Sequence, residues 1–299
     1  MSSMRISPKA TNKIAIFIIK MVALFTMLLL ISFVGYVIWN GRASLNLSFL
    51  TSSPKFMEEG GGIGPQLFNS IYLVVLSMLI TVPIGLCAGI YMAEYAKQSR
   101  FTRAVRFCIE TLASLPSIVI GLFGLILFVT LTKWGYTLMG GALAVSILNL
   151  PVITRISEDA IRSVPDSIKE ASLGIGATHW QSIYKVILPA AFPGLLTGII
   201  ITAGRVFGEA AALLFTAGMS NPNLNYSDWN PFSPNSPLNP FRPAETLAVY
   251  IFKINSEGLA PDSRQIADGA SAVLIICVFI FNVLARYLGQ SLHKRYSGK

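Results

Sequence analysis

An arginine and a glutamate, Arg205 and Glu209, stand four residues apart inside an otherwise apolar stretch. Residues at this spacing share one face of a helix, so the two side chains are predicted to meet. A charged side chain near the middle of a bilayer costs roughly 2.5 to 3.5 kcal/mol on insertion scales, and such groups usually pair or face an aqueous cavity. The two residues therefore have two interpretations: an ion pair that stabilises packing, or part of a pathway for anions.

The anion pathway suits the chemistry of Arg205. Its planar guanidinium offers a fork of donors to phosphate-like oxygens, and its charge is not titrated at ordinary pH. In this hypothesis Glu209 holds Arg205 when no anion is present and keeps the site from binding anions too tightly. Arg205 and Glu209 are thus the predicted substrate-pathway residues.

Residues suited to enzymatic chemistry are scarce. His179 and His293 are the only histidines in 299 residues, and neither has the spacing of a metal site or of a Ser-His-acid arrangement. The phosphate-cradling pattern G-x-x-x-x-G-K-[ST] does not occur in the sequence. We predict no catalytic residue, no metal site and no cofactor in this chain, and any driving ATP hydrolysis must belong to another subunit.

A second informative stretch is EASLGIGATHWQSIYKVILP, from Glu170 to Pro189. Its small residues allow a short helix to approach a partner closely, and Gly176 permits a sharp turn. Thr178 and Gln181 have capping-box spacing for a second helix. The sequence predicts a rigid helix–turn–helix between two apolar spans.

The composition excludes an ordinary soluble domain, because 53% of the residues are apolar and only 12% are charged. The net charge of +9 is spread over loops and termini and does not form one basic face. We therefore predict a membrane protein in contact with lipid and no binding of nucleic acid.

Apolar stretches long enough to cross a bilayer occur six times in the sequence. They lie near 14–39, 67–96, 111–132, 136–156, 190–217 and 268–290. The predicted fold class is an all-α integral membrane protein with six transmembrane helices. The first span stands apart from a transmembrane domain over 67–290.

Basic residues predict the orientation of these spans. They concentrate in the N-terminus 1–13, after the second span, in the loop 157–189 and in the tail 291–299, which we expect on the cytoplasmic side. Both termini are then cytoplasmic, and the loops 40–66 and 218–267 are external.

The external loop 218–267 is rich in proline and cannot form one long helix. Its second part, AETLAVYIFKINSEG from Ala244, has the apolar spacing of an interfacial or partly inserted helix. The loop is either a solvated connection with one surface helix or a contact surface for a delivering protein.

Several segments carry a family resemblance. The stretch from Glu170 resembles the EAA loop of ABC importer permeases, which docks into the ATPase subunit. The runs GGGIGPQLFNSIYLVVLSMLITVPIGLCAGIYMAEYA from Gly60, LPSIVIGLFGL from Leu115, LPVITRISEDAIRSVPDSIKEASLGIGAT from Leu150 and GEAAALLFTAG from Gly208 resemble the phosphate ABC importer permease of the PstA type. The resemblance covers most of residues 60–290. It departs from the family at Ser172, where a second alanine is usual, and at Ala210, where a threonine commonly follows the glutamate.

The resemblance implies a type I ABC importer permease fold with a cytoplasmic EAA coupling helix. The coupling residues that it implies are Glu170, Ala171, Ser172, Gly176, Leu188 and Pro189. It also implies a second permease of the PstC type, two ATPase subunits that bind ATP and magnesium, and an external phosphate-binding protein. Phosphate would be the substrate, and the location would be the bacterial cytoplasmic membrane.

Other functions fit part of the sequence. A permease for sulfate or molybdate would share the same features, because the delivering protein does much of the selecting. An ion-coupled secondary transporter or an anion channel could place Arg205 and Glu209 in a pore, but it has no ATPase for an EAA-like loop to dock into. A membrane-embedded hydrolase would need a nucleophile and a base, and the sequence offers neither.

Overall fold

The computed structural model describes residues 8–55, 58–97, 99–258 and 261–296, and the fold of these residues is all-α, as predicted. The helices are α1 (Pro8–Gly41), α2 (Leu47–Thr51), α3 (Gly64–Ile90), α4 (Arg100–Ser114), α5 (Ser117–Gly124), α6 (Leu138–Arg162), α7 (Asp166–Gly174), α8 (His179–Ser182), α9 (Leu188–Phe207), α10 (Ala211–Thr216), α11 (Leu247–Glu257) and α12 (Ser263–Tyr296). π-Helical turns at Tyr91–Tyr95 and Leu125–Leu131 extend α3 and α5, and a third at Ile183–Ile187 joins α8 to α9. The predicted terminal segments 1–13 and 291–299 lie partly outside the described residues, as does the side chain of His293.

Five helical segments of the described residues are long and apolar enough to cross a membrane. They comprise α1, α3, α6, α8 with α9, and α12. A sixth crossing is obtained if α4 and α5 together form one broken span. The described residues therefore contain five or six segments with the length and composition of a membrane crossing, according to how that broken pair is counted.

The predicted third span, 111–132, is wrong as a single helix. The chain bends by 98° between α4 and the helix that begins at Ser117. Leu115 and Pro116 both have extended backbones at the bend, with ψ angles of 135° and 139°. Proline has no N–H for the helix and pushes the residue before it out of the helical region. As a result α4 lies across the direction of α5, and none of its residues is buried.

The predicted fifth span, 190–217, is also interrupted. α9 ends at Phe207 and α10 begins at Ala211, so Glu209 lies outside both helices. The Oε1 atom of Glu209 accepts a hydrogen bond from the backbone N–H of Ala212 at 3.2 Å. This bond satisfies one of the N–H groups that the start of a helix leaves free. The side chain of Glu209 thus stabilises the interruption.

α6 lies at the centre of the bundle, packed against α3 and α9. Small residues allow this approach, since a methyl group at Gly89 of α3 would collide with Ser157, and one at Gly198 of α9 would collide with Ile156. The close packing fixes the inner end of α3 beside the inner end of α6. The helix–turn–helix of residues 166–189 is held beside these two helix ends.

The loop 218–267, which was predicted to be external, packs against the bundle. The helix predicted after Ala244 is present as α11, whose Leu247, Val249 and Tyr250 are buried. α11 contacts α12 and α3. Just before it, Arg242 and Glu245 are each only 3% exposed. The part of the loop next to α11 is therefore packed as an ordered part of the fold.

Candidate functional site

The predicted helix–turn–helix is present at residues 166–189, which we call the coupling segment. α7 is followed by a turn in which Gly176 has a φ of +92°, a conformation that side-chain-bearing residues rarely adopt. Thr178 and Gln181 form the predicted capping box. The N–H of Thr178 donates to Oε1 of Gln181 at 2.9 Å, and the N–H of Gln181 donates to Oγ1 of Thr178 at 3.3 Å. The turn and the second helix are thus fixed by local chemistry.

The coupling segment exposes several of the residues singled out by sequence. Glu170, Ala171, Gly176 and Pro189 are exposed, Leu188 is half-buried and Ser172 is buried. The small side chain of Ser172 faces the protein interior, so a serine in place of alanine is accommodated there.

Sequence reasoning missed two large apolar side chains on the same segment. Ile175 is 88% exposed and Trp180 is 58% exposed, one on each side of the Gly176 turn. Exposed apolar groups on a rigid polar segment are typical of a protein contact surface. Their presence in the 157–189 loop, which was predicted to be cytoplasmic, was the signal that could have identified them.

Glu94, in the π-helical turn that ends α3, connects α3 to both helices of the coupling segment. Its Oε2 atom contacts Nζ of Lys169 in α7 and lies 3.0 Å from Nε2 of His179 in α8. The ring of Tyr95 packs edge-on against His179 with ring centroids 4.9 Å apart. Glu94 is therefore the centre of a polar cluster that joins the coupling segment to a membrane-length helix.

A second ionic cluster joins α4 to α6. Glu158 of α6 is 7% exposed and pairs with Arg106 of α4 and with Arg162 one turn further along α6. The Nη1 atom of Arg106 donates to Oε2 of Glu158 at 3.2 Å. Arg162 also donates to the backbone carbonyl of Met92 at 3.1 Å, which ties the end of α6 to the end of α3.

The predicted pairing of Arg205 with Glu209 is wrong. Glu209 lies in the interruption after α9, is 9% exposed and binds the N–H of Ala212. Arg205 lies in the last turn of α9 with an exposed side chain, and within the described part of the chain its guanidinium has no ion-pair or hydrogen-bond partner. The break at Gly208 removes the helical geometry on which the predicted pair depended. The guanidinium of Arg205 is left available for another partner.

A buried charged cluster in the loop before α11 was also missed by sequence reasoning. Arg242 donates to Oδ1 of Asn69 at 2.7 Å, and Nε2 of Gln66 donates to Glu245 at 2.9 Å. Burial lowers the pKa of the Arg242 guanidinium to about 10, and burial raises the pKa of the Glu245 carboxyl despite its ion pair with Lys253. The cluster anchors the loop before α11 to the start of α3.

In the described residues, no group of three or more His, Cys, Asp and Glu side chains is placed to hold a metal ion. The features that are present are membrane-length helices, a rigid coupling segment joined to them, and an available arginine beside a broken span. Together they describe a multi-pass membrane protein.

The chain belongs to the family of binding-protein-dependent transport system inner membrane components, whose sequence profile matches residues 85–298. It is 52% identical over 287 residues to the "Probable ABC transporter permease protein YqgI" of Bacillus subtilis, covering 96% of this chain and 98% of that protein. It is 33% identical over 258 residues to the "Phosphate transport system permease protein PstA" of Haemophilus influenzae, covering 86% of each.

Solved structures support the fold assignment. A bacterial alginate ABC transporter, in complex with an alginate-bound periplasmic protein, has a chain that aligns with a TM-score of 0.64 at 14% identity, covering 96% of both chains. The MetNI methionine ABC transporter aligns with a TM-score of 0.56 at 18% identity, covering 77% of this chain and 93% of its own. The protein is therefore an ABC importer permease subunit with the type I permease fold, and such subunits are not themselves enzymes.

Proposed function

We propose that this chain forms half of the translocation pathway of an ATP-driven importer of inorganic phosphate. A second permease of the PstC type supplies the other half, two ATPase subunits bind ATP and magnesium, and an external binding protein delivers phosphate. The importer lies in the bacterial cytoplasmic membrane with both termini of this chain on the cytoplasmic side.

The observation that carries the choice of substrate is the similarity to phosphate permeases, which extends over most of the chain. The relative from Haemophilus influenzae is matched over 86% of its length, and a PstA protein of Yersinia pestis is 31% identical over 278 residues. The available guanidinium of Arg205 supports the same choice, because its fork of donors suits a tetrahedral oxyanion. Glu209 contributes to this pathway by stabilising the break in the span that follows Arg205, through its hydrogen bond to the N–H of Ala212.

The coupling segment supports the choice of partner. In this proposal Ile175 and Trp180 enter a cleft of one ATPase subunit, while Glu170, Ala171, Ser172, Gly176, Leu188 and Pro189 shape and orient the segment. Closure of the ATPase subunits on ATP moves the two coupling segments of the importer, and hydrolysis resets them. The polar cluster at Glu94 carries this movement to α3.

A permease for another oxyanion, such as sulfate or molybdate, is the second candidate function. Arg205 offers the same hydrogen-bond donors to any tetrahedral oxyanion. The residues of this chain therefore indicate an oxyanion as the substrate more strongly than they indicate phosphate in particular.

Purification of the tagged chain from its native membrane tests the proposal. We expect a second permease and an ATPase to co-purify, and we expect phosphate-loaded binding protein to stimulate ATP hydrolysis. Stimulation by a sulfate- or molybdate-loaded binding protein alone would favour the second candidate. Recovery of the chain as a self-assembled oligomer without an ATPase would contradict both.

A further inference from the structure

The amphipathic helix α4 has one row of cations and one row of apolar residues. Arg100, Arg103 and Arg106 follow one another at every third position, which places them along one side of the helix. Phe101, Val105, Cys108 and Leu112 follow at intervals of four, three and four and form an apolar stripe on another side. None of these residues is buried, and Phe101 of the apolar stripe is 69% exposed.

α4 lies nearly at right angles to the apolar helix that follows it. It makes an angle of 98° with the apolar helix that starts at Ser117. If that helix runs along the membrane normal, α4 runs parallel to the surface. The ion pair of Arg106 with Glu158 fixes α4 at the end of α6 that leads into the coupling segment. On the proposed orientation, this end lies at the cytoplasmic leaflet.

The side-chain charges at the start of α4 have no partner among the described residues. The guanidinium groups of Arg100 and Arg103 are exposed and make no ion pair or side-chain hydrogen bond there, and the same holds for the ammonium group of Lys97 just before the helix. The acidic residue of α4, Glu110, lies near the other end of the helix, where it lines a crevice with Arg155. The first turns therefore present cations without nearby carboxylates on α4.

We propose that α4 is an in-plane helix that binds the anionic phospholipid headgroups of the cytoplasmic leaflet. Its apolar stripe enters the boundary between headgroups and acyl chains, and Lys97, Arg100 and Arg103 contact the phosphate groups. Arg106 is held by Glu158 and connects the lipid-bound helix to α6. The partner identified by this chemistry is an anionic membrane surface, and it is independent of the transported substrate.

Cys108 provides a site for the test because it is exposed on α4. The full-length chain with Cys87→Ala and Cys277→Ala carries a fluorophore on Cys108 and is placed in phosphatidylcholine nanodiscs. Brominated phosphatidylglycerol and brominated phosphatidylcholine are then compared, at equal amounts, as quenchers of the fluorophore. We expect stronger quenching by the brominated phosphatidylglycerol.

The double variant Arg100→Gln with Arg103→Gln should remove this preference. Each basic residue near an anionic surface contributes on the order of fivefold to binding, so the preference should fall by more than tenfold. The double variant Lys133→Gln with Arg264→Gln, which removes two exposed charges on the predicted external side, should keep it. Equal quenching by both lipids in the parent chain would overturn the proposal. Absence of quenching by either lipid would also overturn it, because protein would then cover the helix.

Discussion

The Nε2 atom of His179 lies 3.0 Å from Oε2 of Glu94, although the two residues are 85 positions apart in the sequence. His179 begins the second helix of the coupling segment, and Glu94 ends a membrane-length helix. Since Lys169 of α7 contacts the same carboxylate oxygen, we expect a displacement of either helix of the coupling segment to reach α3 through this one side chain.

We predict that Glu94→Gln lowers transport by about tenfold while leaving ATP hydrolysis in the assembled importer. The substitution removes the charge that pairs with Lys169, and a hydrogen bond to a charged group is worth about 1.5 to 3 kcal/mol. The ratio of substrate transported to ATP hydrolysed in proteoliposomes measures the effect. Glu110→Gln, which changes an exposed carboxylate of α4, is the control. An unchanged ratio in Glu94→Gln would show that this cluster does not transmit movement.

The turn of the coupling segment allows a matched comparison of two glycines. An added methyl group would find open space at both Gly174 and Gly176, but only Gly176 has a positive φ. We expect Gly176→Ala to cost about 1 to 2 kcal/mol through backbone strain, whereas Gly174→Ala at the end of α7 is tolerated. Gly176→Leu adds bulk and should uncouple ATP hydrolysis from uptake. Equal uptake by Gly174→Ala, Gly176→Ala and Gly176→Leu would argue against a docking role for the turn.

Arg205→Lys tests whether the guanidinium contacts the transported anion. Lysine keeps the charge but loses the planar fork of donors, so we expect phosphate transport to fall by about tenfold or more. The guanidinium of Arg205 has no partner within the described part of the chain. The melting temperature of the Arg205→Lys variant should therefore equal that of the parent chain. Arg264→Lys, at an exposed position of α12, is the control. Full phosphate transport by Arg205→Lys would remove Arg205 from the pathway.

The buried cluster of Arg242 and Glu245 predicts a pH dependence of stability. Burial raises the pKa of the Glu245 carboxyl, so this carboxyl binds its proton more tightly in the native state than in the unfolded chain. The contribution of Glu245 to stability is therefore fully present below its ordinary pKa and is lost as the pH rises through the raised pKa. Thermal melting as a function of pH measures this loss. The difference in melting temperature between the parent chain and Glu245→Gln should decrease as the pH is raised from acidic to neutral. If the two melting curves run parallel over this pH range, the predicted contribution of Glu245 is absent.

The local features of the coupling segment were predictable from the sequence because they depend on neighbouring residues. The turn at Gly176 and the capping box of Thr178 with Gln181 need only a glycine and the correct spacing. The all-α class followed from apolar stretches of membrane length. The helix α11 was also predictable, since its apolar spacing reflects the face that it buries.

The contacts of Glu94 could not be predicted, because its partners Lys169 and His179 come from distant parts of the sequence. The two broken spans were missed for a different reason. Hydropathy does not depend on backbone geometry. The mean hydropathy of residues 111–132 therefore does not reveal the extended backbone at Leu115 and Pro116. The break before Glu209 similarly removed a pair that helical spacing alone had predicted.

The most direct test of the central claim is uptake of radiolabelled phosphate by proteoliposomes that contain this chain, its partner permease, the ATPase and the binding protein. We predict uptake that requires both ATP and the binding protein and that excess sulfate or molybdate does not reduce. Phosphate uptake without ATP would contradict the assignment as an ATP-driven importer. ATP-dependent uptake of another oxyanion in place of phosphate would contradict the assigned substrate.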